Sequence, residues 1–221
     1  MTKFLSYILD ENTPTYGNRD KILLKKRSSI LNGDIANNTS ISTTLHIGTH
    51  IDMPYHFYEN GQTIVDFDAS FWIFDNVLFI DVQPRNLVIE NELLSRLDDI
   101  EDIGYDILIV KTGICDLRDK DIFWSQNYGF GPKIYNYLSN RFPNIRVFGF
   151  DSISVSSFSN RALGRESHKA FLNSNKPILL LEDMDLRSVG EYTKFKEIII
   201  SPLRVAKCDG LPCTVLGKIY D

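Results

Sequence analysis

Cysteine is scarce in this chain of 221 residues: only Cys115, Cys208 and Cys213 are present. An odd, sparse set is no disulfide framework and fits a reducing compartment. Nor can the pair Cys208 and Cys213 build a zinc site, because no other cysteine or histidine lies near it in sequence. Cys115 has no activating neighbour in sequence, so all three thiols are expected to be buried or inert. No apolar run is long enough to span a membrane. The N-terminal apolar stretch is closed by Asp10 and Glu11, too soon for a signal peptide. A cytoplasmic protein is expected. Excess positive charge is also missing, since 24 Lys and Arg against 29 Asp and Glu leave a net charge of −5. That balance gives no footprint for nucleic acid or an anionic membrane. The one basic run, Lys25-Lys26-Arg27, reads as a solvated face. With no repeats, low-complexity tracts or linker, residues 1–221 read as a single domain able to bury a substantial core.

The hydrophobic pattern predicts strands at residues 4–9, 76–82, 106–112, 145–150, 177–181, 198–201, 203–206 and 213–219. Residues 22–31 fit a further strand, and the polar residues 32–40 a turn region. Helices are predicted at 89–97, with Leu93, Leu94 and Leu97 on one face, and at 165–172. A third opens at Pro132, which suits the first helical position, and carries Ile134, Tyr137, Leu138 and Phe142 at core-facing spacings. The aromatic segment 115–130, with Phe123, Trp124, Tyr128 and Phe130, reads as irregular: a lid, a substrate wall or a packed surface loop. Strands that alternate with helices and then finish in strands indicate an α/β domain, a mixed β-sheet core with flanking helices.

Histidine is nearly as rare as cysteine, with four residues, yet three of the four fall in the stretch from His46 to His56, with Asp52 among them. His46, His50, Asp52 and His56 stand at i, i+4, i+6 and i+10. All these intervals are even, so an extended chain would present the four donors on one face. A helix would pair His46 with His50 but swing Asp52 away. Gly48, Pro54 and the β-branched Ile47, Thr49 and Ile51 also disfavour a helix. The reading is a strand running into a loop. Neutral imidazole plus carboxylate is a donor mixture that zinc, manganese and iron accept, and the alternative is a chance cluster of satisfied polar side chains. His168, alone on a predicted helix, is not joined to the cluster by spacing. Glu182 follows a fully apolar run. It stands either at a strand end, where α/β folds place chemistry, or at the start of a loop with Asp183 and Asp185.

The pattern His46-x-Gly48-Thr49-His50-x-Asp52-x-Pro54-x-His56 resembles the signature of the metal-dependent cyclase family, which includes bacterial kynurenine formamidase and isatin hydrolase. The likeness continues through Leu9-Asp10-Glu11-Asn12-Thr13-Pro14, Lys111-Thr112-Gly113, Phe150-Asp151-Ser152-Ile153-Ser154 and Asp209-Gly210-Leu211-Pro212. By this resemblance His46, His50 and Asp52 bind one divalent ion, zinc or manganese. Asp52 bridges to a second ion held by His168 and Glu182, so one or two ions are implied per subunit, and His56 is the acid/base. The resemblance also implies a swivelling β/β/α architecture assembled as a homodimer or higher homo-oligomer. Tyr16 falls near the position where the formamidases carry a tryptophan that stacks on an aromatic substrate, and is assigned to substrate binding.

The activity so implied is metal-dependent hydrolysis of a non-peptide amide C–N bond, as in an arylformamidase acting on an N-formylkynurenine-like molecule. The ion makes water nucleophilic at neutral pH, and His56 carries the proton. A hydrolase of cyclic amides such as isatin is the enzymatic alternative. A catalytically silent ligand-binding relative is another, and His56 beside the ligands speaks against it. A structural zinc site would favour cysteine, which the cluster lacks.

Overall fold

A computed structural model describes residues 1–173 and 175–220. In chain order the strands are β1 (Thr2–Phe4), β2 (Leu23–Ser28), β3 (Asn38–Ser42), β4 (His50–Asp52), β5 (Ile73–Phe74), β6 (Val77–Asp81) and β7 (Val88–Ile89). They continue with β8 (Ile107–Lys111), β9 (Gly129–Phe130), β10 (Val147–Phe150), β11 (Leu179–Glu182), β12 (Phe195–Pro202) and β13 (Gly210–Ile219). The α-helices are α1 (Asn91–Asp98), α2 (Ile122–Ser125), α3 (Lys133–Arg141) and α4 (Arg161–Phe171). Among the described residues, no helix is long and apolar enough to cross a membrane.

One sheet runs β5-β12-β13-β4-β11-β10-β8-β6, with β1 added on β13. Strands β6, β8, β10 and β11 pair in parallel. Their continuous apolar runs suit a sheet covered on both faces, and every residue of β10 and β11 is buried. The α1, α3 and α4 helices bury Leu93 and Leu97, Ile134 and Leu138, and Phe171. Phe171 of α4 stacks on Phe148 of β10 at 5.3 Å between ring centroids. The other half of the sheet is antiparallel. There β13 alternates buried Cys213, Val215 and Gly217 with more exposed neighbours, as a sheet with one covered face does. Phe79 of β6 meets Phe195 of β12 at 5.7 Å, so the twisted sheet curls towards closure. The short β4 pairs antiparallel with β11 on one side and β13 on the other. It lies where the two halves meet, the kind of junction at which open α/β sheets place ligands.

The mixed α/β architecture agrees with the sequence reading, while several element assignments need correction. The first strand ends at Phe4; beyond it Val215 N–H bonds the Ser6 hydroxyl at 3.0 Å and Tyr7 N–H the Thr49 side chain at 3.1 Å, so side chains replace the backbone ladder. Residues 203–206 form a loop: Val205 N–H turns back to Leu203 C=O at 3.0 Å, and Leu203 and Val205 are exposed. Residues 38–42, of which 38–40 fall in the predicted turn region 32–40, form β3, which pairs only with β2 among the described residues. Residues 115–130 are not structureless, since they hold α2, β9 and most of a 3-10 turn at Ile114–Leu117. The last helix starts at Arg161, capped by Asn160, rather than at Arg165. Pro132 is the residue before α3 and not its first. Cys115 and Cys213 are buried, and burial raises both thiol pKa values, whereas Cys208 is partly exposed.

Candidate metal centre

Only His50, Ile51 and Asp52 of the histidine-rich stretch are strand. Alternation points Ile51 into the core and leaves His50 and Asp52 on the other face. The remaining donors return to that face by other means. His46 is carried back by a turn at Gly48, whose φ of +58° and contact with Leu9 leave no room for a Cβ. His56 is delivered by a 3-10 turn, Pro54–His56. A single extended strand is therefore not what brings the four together. The second glycine that matters is Gly210 in β13, where a Cβ would strike the His46 ring.

Register brings in the distant residues. Glu182 of β11 is the cross-strand partner of His50, and its Oε2 lies 3.4 Å from His50 Nε2. His168 reaches over from α4, placing Nε2 at 3.4 Å from Asp52 Oδ2 and 3.9 Å from Glu182 Oε1. Both rings are fixed in tautomer. His50 Nδ1–H donates to the Gly48 carbonyl at 2.7 Å, and His168 Nδ1–H to the Gly164 carbonyl at 2.9 Å. In the neutral ring each Nε2 is thus the lone-pair nitrogen and faces the cluster, as metal-ligating imidazoles are held. His50 Nε2 and Asp52 Oδ2 are buried and have no hydrogen-bond partner. Glu182 Oε1 accepts Val155 N–H at 2.7 Å. Asp183, next in the chain, takes a bidentate pair from Arg118 at 2.7 and 2.8 Å and is fully buried.

The outer side is wetter. His46 Nδ1 lies 2.8 Å from Asp52 Oδ1, and its Nε2 lies 2.9 Å from Asp209 Oδ2. His56 packs against His46 at 4.1 Å between centroids, with Nδ1 at 3.3 Å from the same Asp209 oxygen. Asp209 is the residue that the sequence reading left without a role. Its Asp-Gly-x-Pro segment stood out, but only the pairing of β13 with β4 places it here.

Electrostatics separate the histidines. Burial would depress His46, but the Asp52 charge and the hydrogen bonds to Asp209 and Asp52 outweigh it and raise it to about 9. Against the same burial penalty, Asp52 and Glu182 push His50 well up and raise His168. His56 goes the other way, lowered mainly by burial with only partial compensation from Asp52. Burial pushes the Asp52 carboxyl up, but the His46 charge and the close imidazoles of His168, His46 and His50 win and hold it well below the usual range. The carboxylates thus demand cations, and the ligand-like histidines supply protons where a metal could.

His46, His50 and Asp52 bring one ligand atom each to within 4.8 Å of one another, as do Asp52, His56 and His168, and His46, His56 and Asp209. In the first set Asp52 Oδ1 lies 2.8 Å from His46 Nδ1 and 3.5 Å from His50 Nε2. A tetrahedral shell with bonds of about 2.0 Å has edges of about 3.3 Å, so this donor set fits a zinc-sized ion. Glu182 adjoins His50 and His168 without entering one of these three-donor groups.

A cavity of about 260 Å³ opens on the cluster, with Pro14, Tyr16, Ile47, Ile153 and Ser154 among its walls. The structure therefore gathers His46, His50, Asp52, His56, His168, Glu182 and Tyr16 around one cavity. The Tyr16 ring meets Phe158 edge-on at 5.5 Å, and its hydroxyl has no hydrogen-bond partner. Trp124 of α2 touches Phe158 from behind at 6.2 Å. Phe123 joins Ile114 and Ile153 in a small apolar cluster against which Tyr16 packs. Segment 115–130 is thus a packed buttress behind the Tyr16 wall.

The Cyclase family model matches residues 4–157. The chain is 25% identical over 210 residues to a kynurenine formamidase of Geobacillus thermodenitrificans, covering 94% of this chain and 92% of that protein. It is 28% identical over 183 residues to a kynurenine formamidase of Bacillus thuringiensis subsp. konkukian, covering 80% and 78%. It also matches cyclase-like protein 3 of Oryza sativa subsp. japonica at 27% identity over 203 residues, covering 84% and 67%. Among solved structures, isatin hydrolase A from Labrenzia aggregata bound to benzyl benzoate has the same fold, with a TM-score of 0.80 at 18% identity over 98% of this chain and 93% of that one. A potential metal-dependent hydrolase with cyclase activity gives a TM-score of 0.76 at 21% identity, over 98% and 96%.

Proposed function

The chain belongs to the Cyclase family, and from that premise we propose that it is a divalent-metal-dependent hydrolase of a non-peptide amide C–N bond. Within that class we propose an arylformamidase, with a small N-formyl arylamine of the N-formylkynurenine kind as substrate. The carrying observation is that His50 Nε2 and Asp52 Oδ2 are buried without hydrogen-bond partners, beside a histidine whose proton affinity is lowered. A merely structural polar cluster would satisfy such atoms internally. Relatives named kynurenine formamidase along nearly the whole chain support the choice of a formamide.

His46, His50 and Asp52 would hold one ion, and Asp52 Oδ2 with His168 and Glu182 a second; zinc and manganese both suit these nitrogen and oxygen donors. A divalent ion there supplies Lewis-acid polarisation of the scissile carbonyl and makes water nucleophilic at neutral pH. Burial keeps His56 neutral near pH 7, ready to take the proton from water and return it to the leaving nitrogen. The products are then formate and an arylamine. Pro14, Tyr16, Ile47 and Ile153 give the ring of the substrate an apolar bed, and a cavity of about 260 Å³ limits it to a small molecule.

The test is a side-by-side panel of N-formyl arylamines, isatin-like cyclic amides and lactones, with the purified, metal-loaded chain. Formamide hydrolysis ahead of the other two supports the reading. Preference for the cyclic amide moves the substrate while keeping the chemistry, and silence on all three leaves a ligand-binding protein.

Self-association into a homodimer or higher homo-oligomer is part of the proposal. The β2–β3 hairpin pairs with no other strand among the described residues, and an isolated hairpin is marginal in water. It and its turn expose Leu23, Leu24, Ile30, Leu31, Ile35 and Ile41. An apolar surface of that kind marks an interface. The sparse cysteines accord with a cytoplasmic location.

A further inference from the structure

Asp209 is left without a part in the proposed chemistry, although one of its oxygens touches two of the histidines. Its Oδ2 lies 2.9 Å from His46 Nε2 and 3.3 Å from His56 Nδ1. An ionised carboxylate only accepts hydrogen bonds, and Asp209, with its side chain 44% exposed to solvent, is a carboxylate at neutral pH. Both rings therefore turn an N–H towards it. For His46 this keeps a proton on Nε2 and leaves Nδ1, 2.8 Å from Asp52 Oδ1, as the nitrogen on the ligand side. For His56 it keeps a proton on Nδ1 and leaves Nε2 to accept one. The turn that carries Asp209 is fastened to the histidine strand, since Met53 N–H donates to the Asp209 carbonyl at 3.0 Å. The next residue, Gly210, has no Cβ to push the His46 ring away.

We propose that Asp209 is a positioning residue that orients a metal ligand, His46, and the acid/base, His56, through one shared oxygen. The part concerning His56 rests on the hydrolase reading; the part concerning His46 needs only the cation site. Carboxylate partners of ligating histidines set ring orientation and basicity, and losing one typically costs 10- to 100-fold in metal affinity or activity.

The experiment uses the full chain, with Asp209→Asn, Asp209→Ala and the conservative Asp209→Glu. The side chain is 44% exposed, so the exchange spares the core. In metal-stripped protein, nitrogen-15 imidazole spectra should change for His46 and His56. Those of His50 and His168, tied to the Gly48 and Gly164 carbonyls, should not. Zinc affinity, measured by chelator competition, should fall about 10-fold, and kcat about 100-fold with KM within about twofold. Asp209→Glu should recover part of both losses. Unchanged His46 and His56 spectra together with wild-type zinc affinity in Asp209→Ala would overturn the proposal. If the wild type hydrolyses no amide but spectra and affinity respond, the hydrolase reading fails and the positioning of His46 stands. If the wild type hydrolyses formamides and Asp209→Asn matches it throughout, only the positioning proposal fails.

Discussion

The two sides of the donor cluster are built from the same residue types but under opposite constraints. On the inner side, His50, Asp52, His168 and Glu182 are buried, and two of their polar atoms have no hydrogen-bond partner. On the outer side, the His46 and His56 side chains are 26% and 28% exposed, and both lean on Asp209. Unsatisfied buried donors are costly unless a cation completes them. Of the two partly exposed rings on the shared carboxylate, His56 is the one proposed to exchange protons with a substrate. Burial leaves the inner donors to a cation, while on the outer side it is the contact of His46 with Asp52, and not exposure, that separates the proposed ligand His46 from the proposed acid/base His56.

Removing the inner side should have the largest effect. Asp52→Ala takes away the carboxylate that faces both donor sets, so bound metal should be lost and turnover should fall more than about 1,000-fold, checked by elemental analysis beside the assay. His56→Ala tests the outer side. Metal content should stay at the wild-type value while kcat drops about 100- to 10,000-fold, the range of a lost general acid/base. If His56→Ala also empties the site, the division between the two sides is wrong.

Arg118→Ala strips the partner from buried Asp183, which follows Glu182. It should destabilise the fold by about 3–5 kcal/mol in urea titration, because one charge of a buried pair is left unpaired. The smallest effect concerns pH. Burial lowers His56 below the ordinary histidine value of about 6.5, so activity should persist through pH 6.5 and fall only as pH drops through the depressed value. His46 contrasts with it in metal-stripped protein. Its pKa rises to about 9 on folding, so its contribution to stability is complete below about pH 6.5 and is lost as pH climbs through about 9. Thermal melts across that window should show the decline in stripped protein and its loss in His46→Ala.

The local half of this picture was legible in the sequence, because His46, His50, Asp52 and His56 lie within one short stretch. Even spacing gave the right convergence by an incomplete route, since only three residues are strand and turns at Gly48 and Pro54 supply the rest. His168 and Glu182 could be joined only through family resemblance. What brings them in is the pairing of β4 with β11 and the packing of α4, both long-range. Asp209 needed the register of β13 as well. Elsewhere, the continuous apolar runs of β8, β10 and β11 announced buried strands. The polar β3 hid inside a supposed turn because its hairpin buries little of itself, and Leu203 and Val205 alternate like a strand while facing solvent.

The donors converging on Asp52 are proposed to hold a divalent ion on which hydrolysis depends. The direct measurement is to strip the purified chain with a chelator, titrate zinc and manganese back, and record bound metal and N-formyl arylamine hydrolysis at each step. Activity should vanish on stripping and return in proportion to the first one or two equivalents bound. Full hydrolysis by protein shown to contain no metal would contradict it.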